Sequence, residues 1–224
     1  VRSVAVQPWR RSARAILPPH AAAAVRACIA SRRHRNRRTT IAATSAPQAL
    51  VVMGVAGCGK SSLATALADA LALPLVEGDV HHGPANRAKM AAGVPLTEAD
   101  RSTWLATLAA QLQARPQGVV LACSALRRSH RDLLRAATPG LRFLFLEIGR
   151  DEALARVQAR VATHFFSPSL VDNQFATLEP PLAEALVLRL DAREPVVRLV
   201  QQVRAWLDGA ELNRRETAPP EGAP

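Results

Sequence analysis

Cysteine is scarce in this chain of 224 residues. There are three, Cys28, Cys58 and Cys123, an odd number with wide spacing and no C-x-x-C pair. A disulfide framework and a zinc site are therefore excluded as organising principles, and a reducing compartment is expected. Long apolar runs are lacking too. The longest uncharged stretch, residues 39–59, is broken by Pro47 and three glycines, so no membrane-spanning helix is expected. Acidic residues are missing altogether from residues 1–48, which hold ten Arg and no Lys. That segment carries +10 of the formal net charge of +11, while residues 49–224 balance 19 Lys and Arg against all 18 Asp and Glu. The basicity belongs to an N-terminal extension and not to the folded body. No internal repeat is visible.

What is present is enough apolar material for a full core. Hydrophobic residues make up 49% and charged residues 21% of the chain, which fits one α/β domain plus an appendage. The extension, residues 1–48, has Pro8, Pro18, Pro19 and Pro47 and no sustained apolar period, and is expected to lack packed structure. Four readings of it compete. The preferred one is a dispensable leader translated from an upstream start, since the chain opens on Val1 and basic runs are usually solvated. An Arg-, Ser- and Ala-rich transit peptide is the second. The third is a twin-arginine signal at Arg10-Arg11, whose apolar region would be interrupted by Pro18, Pro19, His20 and Arg26. The last is an electrostatic grip on phosphates through residues 32–38. A cytoplasmic location is expected unless this extension directs the chain elsewhere.

From residue 49 strands and helices alternate. Apolar runs at 49–53, 75–77, 118–123, 142–148 and 186–190 predict strands, and helical spacing is found at 60–73, 84–92, 99–114, 124–137, 151–160 and 195–207. Pro195 suits a first helical turn and Gly209 a stop, an irregular segment is expected near 163–170, and residues 210–224 are expected to fray. Short connections between such elements require right-handed crossovers, hence a parallel sheet of about five strands between two helical layers.

The strongest motif is Gly54-Val55-Ala56-Gly57-Cys58-Gly59-Lys60-Ser61, followed by Ser62. It fits G-x-x-x-x-G-K-S/T after a buried strand and before a helix. Its glycines let backbone N–H groups converge on a phosphate, and the helix start adds partial positive charge. Lys60 would bridge the β- and γ-phosphates of a nucleoside triphosphate, and the Ser61 hydroxyl would take a Mg²⁺ site. Cys58 either fits the loop as a small residue or carries a lowered thiol pKa there. A second motif, Glu77-Gly78-Asp79, falls at the carboxyl end of the second strand, on the rim where open α/β sheets bind ligands. Glu77 would hold a Mg²⁺-bound water, and Asp79 would accept from the attacking hydroxyl of a substrate.

These motifs resemble those of the gluconokinase family, P-loop sugar-acid kinases that use ATP to make 6-phosphogluconate. The family pattern G-V-S/A-G-x-G-K-S is met by residues 54–61, and D/E-G-D-x-x-H by Glu77 to His82. Asn86, Lys89, Met90, Gly93, Pro95, Leu96, Asp100, Arg101, Trp104 and Leu105 match a third segment, and Cys123 to Arg135 a fourth. The fifth comprises His164-Phe165-Phe166 and Leu170 to Pro180, with Gln174 inside it. The match runs over residues 50–207. Departures are Gly83 between His82 and Pro84, Thr103 before the tryptophan, and one extra residue without glycine between Arg160 and His164.

The resemblance implies a P-loop kinase domain over residues 49–209 with a lid at about 150–175. It also implies gluconate as acceptor, ATP and Mg²⁺ as cofactors, and a homodimer. Arg101, Arg127, Arg128 and Arg131 fall in matched segments; Arg101 and Arg131 are the expected ligands of the acceptor carboxylate, with Asp79, His82 and Gln174 on its hydroxyls. Arg156 and Arg160 would approach the lid and close over the γ-phosphate, Arg160 being the expected catalytic one. Trp104 is expected in the core. A kinase of the same fold acting on shikimate or a nucleoside monophosphate is the nearest alternative, and a nucleic-acid binder working through its basic extension the more distant one.

Overall fold

A computed structural model describes residues 48–159 and 167–217. The first apolar run, Gln48–Met53 (β1), lies at the centre of a sheet because its side chains are apolar on both faces. Leu75–Glu77 (β2), Gly118–Ala122 (β3), Arg142–Glu147 (β4) and Val187–Asp191 (β5) complete it in the order β2-β3-β1-β4-β5, every pair parallel. The register sets Leu50 beside Val120 of β3 and Arg142 of β4, so alternate residues of neighbouring strands share a face.

The helices are Lys60–Leu71 (α1), Pro84–Ala91 (α2), Glu98–Gln113 (α3), Arg128–Ala137 (α4), Arg150–Gln158 (α5), Leu170–Thr177 (α6) and Val196–Thr217 (α7). On one face of the sheet Leu50, Val52, Val120 and Leu144 pack with Leu63 and Leu67 of α1 and Leu199, Val203 and Leu207 of α7. On the other, Val51, Met53, Leu121 and Phe143 pack with Leu105, Leu108 and Leu112 of α3 and Leu134 of α4. The expected three-layer α/β/α arrangement with a parallel five-stranded sheet is what these residues form. Among the described residues no helix is long and apolar enough to cross a membrane.

Three elements depart from expectation. Helix α4 begins at Arg128 rather than Ser124, because Ala125 takes a left-handed conformation (φ 41°) and the Arg128 N–H is capped by the Glu179 carboxylate at 2.7 Å. Helix α6 follows the segment expected to be irregular; it forms because Leu170 and Val171 are buried, Leu170 against Met90 and Leu96. Helix α7 runs through Gly209 to Thr217, since one interior glycine costs only about 1 kcal/mol relative to alanine and a row of buried leucine and valine holds the helix down.

The start of α3 carries a side-chain cap. Thr97 Oγ1 accepts from the Asp100 N–H at 3.2 Å, and the Asp100 carboxylate accepts from the Thr97 N–H at 2.8 Å, a reciprocal capping box. Lys89 Nζ reaches the same carboxylate at 2.7 and 2.9 Å, and Asn86 Nδ2 donates to the Asp100 carbonyl, so α2 is tied to α3 at this point. These contacts hold the Asp100 carboxyl down at about 2. Replacing Thr97 by alanine is expected to cost about 1 kcal/mol, read as a lower urea midpoint at unchanged m-value.

Candidate active site

The phosphate loop, residues 54–59, runs from the end of β1 to the start of α1. The Gly54 N–H donates to the Ser124 carbonyl at 3.3 Å, which fixes the loop to the segment leaving β3. Gly57 has φ 83°, and a Cβ there would stand 2.6 Å from the Ala153 carbonyl, so the turn admits glycine only. Val55 and Cys58 point into the core, while Ala56, Gly57, Gly59, Lys60, Ser61 and Ser62 line a cavity. Burial pushes the Cys58 thiol up, against the opposing pull of Lys60, so the reading of a lowered thiol pKa is overturned. The Cys123 thiol is buried as well and stands at about 12.

Lys60 Nζ donates to the Val55 carbonyl at 3.0 Å, folded back along its own loop. Next to it Ser61 Oγ donates to Glu77 Oε2 at 3.1 Å. The phosphate loop and the end of β2 are thus in direct contact. Burial raises the Glu77 pKa and the Ser61 hydrogen bond opposes that rise. A hydroxyl and a carboxylate side by side are the hard oxygen donors that Mg²⁺ takes, and two protein ligands suffice for an ion that keeps several waters and binds phosphate. The donor set therefore fits this ion.

Beyond Glu77 the chain forms a 3₁₀ turn, Gly78–His81. Gly78 is required by space: a Cβ there would stand 2.5 Å from the Ala122 carbonyl of β3. Trp104 Nε1 donates to the Gly78 carbonyl at 2.8 Å, and Arg87 donates to the carbonyls of Val80 and His82, so the turn is held from two helices. Asp79 of this turn lines the same cavity as Lys60 and Ser61. His82 stacks on Trp104 with ring centroids 4.3 Å apart and 15° between planes. The imidazole is 7% exposed, its Nδ1 is buried without a partner, and burial lowers its pKa, which keeps it neutral. Trp104 is a core residue, as expected, and it also lines the cavity.

Arg101 also lines the cavity and gives one N–H to Glu98 at 2.8 Å. Gln174 of α6 lines the cavity and accepts from the Ala56 N–H at 2.6 Å. Arg131 is different, and its expected place in the pocket must be corrected. Its side chain is fully buried, and its guanidinium donates to the carbonyls of Ala125, Leu126 and Glu179 and to the Glu184 carboxylate. No donor is left for a ligand. Arg131 instead locks α4 to the segment before β5. Arg156 likewise donates to the Ala192 carbonyl and pairs with Glu152. Arg160, His164 to Phe166 and the middle of the expected lid lie outside the described residues, as do residues 1–47.

Sequence reasoning missed Ser124, His130 and Asn173, which also line the cavity. His130 adjoins Arg131, and its one legible signal was membership of the matched segment 123–135. The residue that claims Arg131, Glu184, lies 53 positions further along and cannot be paired with it from sequence.

A loop that can hold phosphates shares its cavity with a carboxylate and an arginine, the parts needed to move a phosphoryl group to a small acceptor. By fold and by site the chain is a P-loop kinase. A model of the AAA domain family matches residues 50–181. The gluconokinase of Gluconobacter oxydans is 43% identical over 163 residues, which is 70% of this chain and 90% of that protein. The thermoresistant gluconokinase of Escherichia coli is 39% identical over 67% of this chain and 87% of its own length. The crystal structure of a gluconokinase from Sinorhizobium meliloti 1021 is similar with a TM-score of 0.70 at 40% identity, covering 78% of this chain and 99% of that one. The chain belongs to the gluconokinase family.

The corrected role of Arg131 has a direct test. Arg131→Ala is expected to lower stability by about 3–5 kcal/mol, the scale for breaking a buried ion pair. The urea midpoint should fall steeply, while KM for the acceptor in the enzyme that remains folded stays level.

Proposed function

We propose that this chain transfers the γ-phosphoryl group of ATP to the primary hydroxyl of D-gluconate, giving 6-phospho-D-gluconate. The observation that carries the reading is the shared cavity, which Lys60, Ser61, Asp79 and Arg101 line together. Family membership supplies the substrate class, and the chemistry of the cavity agrees with it. A polyhydroxy carboxylate needs a cation for its charge and polar groups for its hydroxyls, and Arg101, His82 and Gln174 are of those kinds.

In this reading residues 54–62 cradle the phosphates. Lys60 exchanges the Val55 carbonyl for phosphate oxygens. Ser61 and Glu77 would hold Mg²⁺, which neutralises charge on the phosphates. The transition state of phosphoryl transfer is loose, so alignment and charge neutralisation matter more than a strong base. Asp79 accordingly orients the acceptor hydroxyl toward the γ-phosphorus and takes its proton as the bond forms. Arg160 is proposed as the cation that closes over the γ-phosphate. The catalytic unit is residues 49–209, with residues 1–48 dispensable for turnover. Homodimeric assembly and a cytoplasmic location belong to the same reading.

An ADP-release assay against sugar acids, shikimate and nucleoside monophosphates tests the acceptor. Gluconate is expected to give the highest kcat/KM, and turnover confined to shikimate or a nucleotide would overturn the proposal. Lys60→Ala should lower kcat/KM about a hundredfold or more, the scale for removing a preorganised charge-stabilising group. Deletion of residues 1–48 should leave gluconate phosphorylation intact.

A further inference from the structure

We infer that His130 is a second acceptor-binding residue, and that Glu98 is the positioning residue that sets both His130 and Arg101 against the acceptor. The inference deepens the gluconate reading and rests on it. His130 lies in the first turn of α4, is 4% exposed and lines the cavity. Its Nε2 is 2.9 Å from Glu98 Oε2. The other carboxylate oxygen of Glu98 accepts from Arg101 Nη1 at 2.8 Å and lies 3.4 Å from Arg127 Nε. One carboxylate at the capped start of α3 therefore gathers a histidine and two arginines from two elements.

The protonation of this cluster follows from its geometry. The His130 hydrogen bond, foremost among its neighbours, holds the Glu98 carboxyl below its ordinary value, so Glu98 is ionised and can only accept. The proton between them then belongs to His130 Nε2. Nε2 is thus the nitrogen engaged with Glu98, and Nδ1 is the one this pair leaves over. Nδ1 has no partner among the described residues, and the ring lines the cavity. Nδ1 is thus open to a hydroxyl of the acceptor. Arg101 is placed the same way: Glu98 takes one N–H, and Nε and Nη2 have no partner among the described residues, leaving donors for a carboxylate. Arg131, one position from His130, shows what a purely structural group looks like here, with its guanidinium engaged by protein on every nitrogen. Two guanidinium groups face the single Glu98 carboxylate, a surplus of positive charge that suits an anionic polyol.

The test separates binding from structure. His130→Gln can keep the donor that reaches Glu98 but lacks Nδ1; His130→Phe keeps ring volume and lacks both nitrogens. Both are expected to raise KM for gluconate about tenfold, the scale of one hydrogen bond in a charged cluster, with KM for ATP level and kcat largely retained. Glu98→Gln, which keeps the shape but not the charge, should raise the same KM and leave ATP alone. A urea midpoint for His130→Gln equal to that of the parent shows an intact fold, so this variant carries the test even where His130→Phe does not fold. Wild-type KM for gluconate in His130→Gln would overturn the inference alone. Absence of gluconate phosphorylation by the parent chain would overturn the functional reading with it.

Discussion

Strand β1 is bonded along both edges, to β3 and β4, and covered on both faces. That confinement allows a loop of small residues to keep its shape with little side-chain support. The Gly54 N–H is tied to the Ser124 carbonyl and the loop packs against α5 at Gly57. The helix that follows can then present its first N–H groups, and the positive end of its dipole, to one place in space. Every other part of the site is positioned relative to this fixed mouth. β2 reaches it through β3, ending with the Glu77 carboxylate against Ser61. α6 reaches it through the hydrogen bond between Gln174 and the Ala56 N–H.

Around the cavity the arginines are organised by carboxylates. Asp100 collects Thr97, Lys89 and the start of α3, and Glu98 collects Arg101, Arg127 and His130. Glu184 collects Arg131 and Arg135. In each case the acid decides whether a cation is available to a ligand. Glu184, with three carbonyls, takes all of Arg131, whereas Glu98 takes one N–H of Arg101. An arginine in a pocket is thus defined as much by the acid behind it as by its own place in the chain.

This explains which parts could be seen in the residues alone. The order of elements, the parallel sheet, the phosphate loop and the acidic turn were legible, because each depends on local spacing: a buried run, three glycines, a lysine at a helix start, two carboxylates at a strand end. The contact between Ser61 and Glu77 is the meeting of two such local motifs at one sheet edge. The fate of Arg131 was not legible, since it turns on Glu184 and Glu179 about fifty positions away. His130 was overshadowed by neighbouring arginines, and its role depends on Glu98 across a helix interface. The start of α4 was missed for a similar reason: the left-handed Ala125 places carbonyls where Arg131 needs them. Asn86, Lys89 and Asp100, prominent in the sequence resemblance, turn out to bind one another.

Trp104 joins three of these systems in a single side chain. Its ring is 3% exposed and packs in the core, its face carries His82, and its N–H sets the carbonyl of Gly78 beside Asp79. Packing and chemistry therefore share an atom-level hinge at this position. The hydrophobic layer beneath α3 and the turn that carries Asp79 meet at this one side chain, so on this side of the sheet a change of interior packing reaches the cavity wall.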